Sequence, residues 1–194
     1  MANKINIIGG DWRSRKVSFP DVEGLRPTPA RVRETLFNWL QYDILNSRCL
    51  DLYAGSGALS FEAASRGAKS VVQVENNAIA CRSLHTNALT FGANNIKVVQ
   101  MEAFRYLAGD AEPFDIVFID PPFSLNIAAQ TCHWLEDKHW LAAHAKIYVE
   151  TQSKDLVTQR PFQLDAMPKN WQLLKQKTAG DVQYQLFERN LKLV

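Results

Sequence analysis

The chain has 194 residues, 46% of them hydrophobic and 22% charged, with a formal net charge of +2. That is the composition of a soluble globular chain, long enough for one domain with a substantial core. No apolar run approaches the roughly 20 residues of a membrane helix, and the start MANKINIIGG lacks the apolar centre of a signal peptide, so the cytoplasm is the expected location. The three cysteines, Cys49, Cys81 and Cys132, lie far apart with no C-x-x-C pair. That spacing points to buried thiols and against a zinc knuckle or disulfide framework. Net charge alone does not mark a nucleic-acid binder, but its distribution does more: residues 1–33 hold seven Lys or Arg against three acids.

The first segment reads as two short strands, near Ile5 to Ile8 and Trp12 to Phe19, joined by the turn formers Gly9, Gly10 and Asp11 into a basic hairpin. Thr28-Pro29 then reads as a helix N-cap with proline at the first helical position, and Val32, Leu36, Phe37 and Leu40 fall on one face of a helix running to about Tyr42. From there strands and helices alternate. CLDLY (49–53) precedes a helix over 57–66, SVVQVE (70–75) one over 77–91, and IKVVQ (96–100) a shorter one near 103–107. FDIVFID (114–120) precedes a helix near 126–135, and KIYVE (146–150) follows. This alternation predicts βαβ units and a doubly wound, mostly parallel sheet covered on both faces. The last third, WQLLKQKTAGDVQYQLFERN, reads as a hairpin that adds an antiparallel strand. The expected organisation is a body over 45–194 with residues 1–44 as an extension packed on it.

In "LDLYAGSGALS" the first body strand ends at Asp51 and turns into a helix through Gly55 and Gly57. Such a turn lets a ligand approach the backbone at a helix N-terminus. The full dinucleotide fingerprint fails, because Ser60 stands at the third glycine position. Glu75 ends the second body strand about 20 positions on, where a carboxylate can accept hydrogen bonds from both hydroxyls of a ribose. Asp51 would repel a pyrophosphate and attract the cations of S-adenosylmethionine, so the latter is the expected cofactor. Asp120-Pro121-Pro122-Phe123 follows the fourth body strand at the same sheet edge. An exocyclic amine of a base is a poor nucleophile. Asp120 and the Pro121 carbonyl are suited to accept its hydrogen bonds, the prolines to stiffen the turn, and Phe123 to stack on the base.

These residues resemble the S-adenosylmethionine-dependent amino-methyltransferases with a D/N/S-P-P-F/Y/W motif. More closely, "IIGGDWRSRKV", "LRPTPARVRETLFNWL", "LDLYAGSGALSFEAASRGA" and "FDIVFIDPPF" together resemble the bacterial 16S ribosomal RNA guanine-N2 methyltransferase family, which has a Rossmann-like class I methyltransferase sheet. The resemblance runs from about Ile7 to Phe123. It implies that Asp51, Ala54, Gly55 and Gly57 hold the methionine moiety, Glu75 with Asn76 the ribose, and Met101, Glu102 and Ala103 the adenine side. It implies that Asp120 to Phe123 hold the guanine amine and that Arg26, Thr28 and Arg31 lie over the cofactor and the route to the base. Arg13, Arg15 and Lys16 would grip RNA phosphates. The implied partner is 16S rRNA in the small subunit or its assembly intermediate, bound by a monomer without a metal. The family usually has glycine at Ser14 and Ser60 and threonine-aspartate at Pro29-Ala30; Ser60 is expected to matter little. Alternatives are the same chemistry on adenine N6, a non-catalytic RNA-binding assembly factor with a vestigial pocket, and, more distantly, a nicotinamide dehydrogenase.

Overall fold

Apolar runs broken by helical stretches leave each strand two faces to bury, and the chain meets that demand with helices on both sides of one sheet. The computed structural model describes residues 3–122, 127–153 and 166–190. The central strands are β3 (Arg48–Asp51), β4 (Ser70–Glu75), β5 (Ile96–Gln100), β6 (Phe114–Ile119) and β7 (Leu141–Gln152), all parallel. After them come β8 (Trp171–Ala179) and β9 (Val182–Arg189), and the sheet order is β5-β4-β3-β6-β7-β9-β8. The last strand, β9, is antiparallel to both neighbours and separates β7 from β8. Two antiparallel pairings therefore close the sheet, where the sequence suggested one added strand.

Successive residues point to opposite faces, and the core divides accordingly. Cys49, Val71, Ile116, Phe118, Tyr148 and Tyr184 pack with α1 (Ala30–Trp39) and α2 (Ala58–Ser65). Leu50, Val117, Ile119, Ile147 and Val149 pack on the other side with α4 (Ala103–Leu107) and α5 (Ala128–Asp137). The strand order reverses between β3 and β6, which opens a crevice at their C-terminal ends. The remaining helix, α3 (Ala78–Phe91), is capped by Asn77, whose side chain accepts from the amides of Ile79 and Ala80. Among the described residues no helix is long and apolar enough to cross a membrane.

The N-terminal hairpin is present, but β1 (Asn3–Asn6) lies two residues earlier than the sequence suggested and β2 (Lys16–Phe19) is shorter. The expected tight Gly9-Gly10-Asp11 turn is replaced by a loop that folds over the end of α2. Ile8 and Gly9 amides donate to Glu62 at 2.8 Å, the Asp11 amide to the Ser65 carbonyl, and the Trp12 amide to Ser65 Oγ. Gly10 has φ of 77°, and a Cβ there would overlap the Ser65 carbonyl, so the contact requires glycine. Ser14 also lies in the left-handed region, with φ of 67°. Helix α1 starts at Ala30 with Pro29 as its N-cap and ends at Trp39, one residue later and three earlier than expected. Thr28 does not cap it.

Candidate active site

The strand β3 delivers Asp51 to the crevice with only 2% of its surface exposed. Burial pushes the Asp51 carboxyl up to about 7, and Asp120 and Glu75 push in the same direction, against the Ser60 hydroxyl and the Tyr53 amide. The chain then turns through Gly55, with φ of 49°, and Gly57, with φ of 77°. The two glycines have different reasons. A Cβ on Gly57 would meet Leu84 and Phe61 at 2.7 Å, so its absence lets α2 and α3 pack, whereas a Cβ on Gly55 would have nothing nearer than 3.8 Å. Only Gly55 leaves open space for a ligand. The nearest side chain there is Leu25, which places the loop before α1 beside the turn.

Glu75, at the end of β4, accepts from the Gly55 amide through Oε2 and from the Asn77 amide through Oε1, both at 2.8 Å. It thereby joins the glycine turn to the start of α3. Asn76 between them is exposed, and the Ala54 amide donates to the Val74 carbonyl. At the next strand end Met101 donates to the Glu75 carbonyl, Glu102 caps α4 by accepting from the Arg105 amide, and Ala103 is buried.

Asp120 stands just past β6 and is partly exposed. The Thr28 hydroxyl donates to its Oδ2 at 3.4 Å. Burial raises the Asp120 carboxyl well above the usual carboxylate range, and the negative Glu150 adds to that, opposed by Thr28. Pro121 is buried and Pro122 exposed, while Phe123 lies outside the described residues. Thus Asp51, Gly55, Glu75, Thr28 and Asp120 converge on one sheet edge, while Arg26 on the loop before α1 and Arg31 in α1 are exposed.

Arg13, Arg15 and Lys16 do not join that group. Arg15 lies over the Phe91 ring at 4.1 Å and donates to the Thr90 carbonyl, at the C-terminal end of α3. Because α3 starts at the site and runs 14 residues back along the sheet, about 20 Å at 1.5 Å per residue, this end of the arm sits at the opposite edge. Arg13 and Lys16 are exposed, and Trp12 packs on Phe91 with ring centroids 5.0 Å apart. The expectation that Ser60 matters little is corrected. Every residue of α2 is buried, and the Ser60 hydroxyl accepts from Gln73 Nε2 at 2.7 Å beside Asp51.

Sequence reasoning missed two buried acids. Glu62, fully buried in α2, receives the arm amides, Arg66 at 2.7 Å and Arg33 at 3.5 Å. Glu150, 4% exposed in β7, accepts from the Tyr148 hydroxyl at 2.7 Å. The signal for Glu150 was its position two residues after Tyr148 in KIYVE, on one strand face.

The family model described as Conserved hypothetical protein 95 matches residues 5–188. The chain belongs to that family. Within the Conserved hypothetical protein 95 family this chain is similar to Ribosomal RNA small subunit methyltransferase D of Escherichia coli (strain K12), at 45% identity over 97% of this chain and 91% of that one. The protein of the same name from Haemophilus influenzae is 43% identical over 95% of this chain and 94% of its own. The solved structure of yhhF from Escherichia coli superposes with a TM-score of 0.86 at 42% identity, covering 98% of this chain and all of that one. These matches span the hairpin, the glycine turn and the C-terminal strands alike.

Proposed function

We propose that this protein transfers a methyl group from S-adenosylmethionine to the exocyclic N2 amine of a guanine in 16S ribosomal RNA of the small subunit. The observation that carries the reading is the convergence of a cation-seeking buried carboxylate, an open glycine turn and Asp120-Pro121 on one edge of the sheet. The names borne by the 45% and 43% identical relatives agree with a small-subunit ribosomal RNA substrate.

The site fits the cofactor. Asp51 is buried without a Lys or Arg partner among the described residues, so a ligand ammonium or sulfonium would supply the missing positive charge. Asp51, Ala54 and Gly55 would hold the methionine end, Glu75 and Asn76 the ribose, and Glu102 and Ala103 the adenine side, with Arg26 and Thr28 closing over them. Gly57 serves the fold of that turn. When bound, S-adenosylmethionine supplies a methyl group already activated by its positive sulfur.

The protein's own work is positioning. Asp120 Oδ and the Pro121 carbonyl accept the two amine hydrogens, which aims the nitrogen lone pair, and the two prolines fix φ so that the carbonyl holds its direction. Pro122 continues the rigid turn, and stacking on the base is the role proposed for Phe123. Arg31 meets the nucleic acid near the base, and Arg13 and Lys16 meet phosphates some 20 Å away, so the RNA substrate must span the molecule. Labelled-methyl transfer to small subunits lacking the modification, followed by nucleoside identification and site mapping, tests the reading. Label in N2-methylguanosine of 16S RNA is the expected result; label in N6-methyladenosine, or none, would overturn it.

A further inference from the structure

Strand β7 carries a second acid into the neighbourhood of Asp120. Ile119 of β6 pairs with Val149 of β7, so the residues that follow, Asp120 and Glu150, stand side by side on strands about 4.8 Å apart. They also share a face. Phe118 and Tyr148, two residues earlier on each strand, both pack on the α1 side with their rings 6.5 Å apart. Glu150 is 4% exposed, and its hydrogen-bond donor is the Tyr148 hydroxyl at 2.7 Å rather than a cation. A buried acid with one neutral donor is costly, and a glutamine would serve Tyr148 as well.

Among the described residues, the surrounding groups offer no positive charge. From β9, Tyr184 stands opposite Glu150; from β3 and β4 come Asp51 and Glu75; from the loop before α1 comes the Thr28 hydroxyl. On α1, Arg33 is turned to Glu62, and Arg31 and Glu34 are exposed. Among the described residues neither Asp120 nor Glu150 forms an ion pair.

We infer that Glu150 is a positioning residue for the methyl-transfer reaction: its carboxylate, held beside that of Asp120, makes two adjacent negative charges unfavourable and so makes Asp120 the proton acceptor for the target amine. This rests on the role proposed above for Asp120. The step balances simply. As the amine nitrogen bonds the methyl carbon and the carbon–sulfur bond breaks, one N–H proton passes to Asp120 Oδ, leaving a neutral secondary amine and a neutral thioether. A lone exposed aspartate is a weak base for that proton; one crowded by a second carboxylate holds it better. The upward displacement of both groups, Glu150 to about 7, accords with this.

Two experiments on the full chain test it. In protein with 13C-labelled carboxyls, free of cofactor and RNA, replacing Asp120 by Asn should lower the titration midpoint of Glu150 by about one pH unit or more. An unchanged midpoint overturns the pairing. In Glu150→Gln, the acid limb of the kcat profile should move to lower pH by about one unit, with KM for RNA within about two-fold. A limb left in place overturns the inference and leaves Glu150 as Tyr148's structural partner. Should Glu150→Gln fail to fold, the Asp120→Asn titration still decides. If Asp120→Asn instead turns over at the wild-type rate, the role of Asp120 itself fails, and the carboxyl titration judges the pair separately.

Discussion

At the scale of single residues, the site is a group of acids held close together by backbone and hydroxyl donors. Asp120 is expected to act on the reacting amine and to touch the cofactor little, so Asp120→Ala should abolish nearly all turnover while the cofactor Kd stays within a few-fold. Equilibrium binding beside single-turnover kinetics checks this, and a Kd that rises in step with the lost rate would move Asp120 into the cofactor set. Asp51 makes a different prediction. Its carboxyl is raised to about 7, and a cationic ligand binds only the ionised form well. Binding of S-adenosylmethionine below pH 7 should therefore release a proton, and affinity should climb as pH rises through about 7. Calorimetry in buffers of different ionisation enthalpy measures both effects; a flat profile would place the ammonium elsewhere.

At the scale of elements, the arm and α1 are joined to the body through Glu62. Arg33 donates to Glu62, to the Asn6 carbonyl and to the Thr28 carbonyl, while Thr28 reaches Asp120, so one buried network runs from β1 to the reacting edge. Glu62→Ala would strand two buried or half-buried guanidiniums and two amides, and should cost about 3 to 5 kcal/mol in urea unfolding. The arm's RNA role has its own test. Neutralising Arg13 and Lys16 together should weaken RNA binding and lower the log–log salt slope by about two, since each phosphate contact contributes about one. Arg15 is excluded because Phe91 and Thr90 already engage it. The strands β4 and β5 and helix α4 were legible because apolar runs and turn formers there agree with local preference. The same holds for Asp51, Glu75 and Asp120, since strand ends are readable. The hairpin was misread, because the loop over 7–15 obeys bonds to Glu62 and Ser65, 50 or more residues away. Thr28 was misread as a cap for the same reason: its partner lies 92 positions on. Glu62, Ser60 and Glu150 looked like ordinary polar positions because a sequence does not announce which neighbours a buried side chain will meet.

At the scale of the whole molecule, the unpaired acids set a pH dependence of folding. Asp51 and Glu150 both sit near 7 when folded, above the usual carboxylate range of about 4 in an unfolded chain. Between those values the folded protein keeps protons that the unfolded chain has released. Their contribution to stability is thus complete below about pH 4 and is lost as pH rises through about 7. Without ligands, the thermal midpoint should be lower at pH 8 than at pH 6, and saturating S-adenosylmethionine should shrink the gap by supplying charge to Asp51. Scanning calorimetry across pH checks it, and an equal midpoint at both values would show that the two acids ionise freely. The sheet order carries a consequence for synthesis. Since β9 lies between β7 and β8, a growing chain on the ribosome exposes β7 with an open edge until the residues around Val182–Arg189 emerge. Tyr184, opposite Glu150, comes in that last strand. The acids at the reacting edge are therefore sealed only once β9 has emerged and paired with β7.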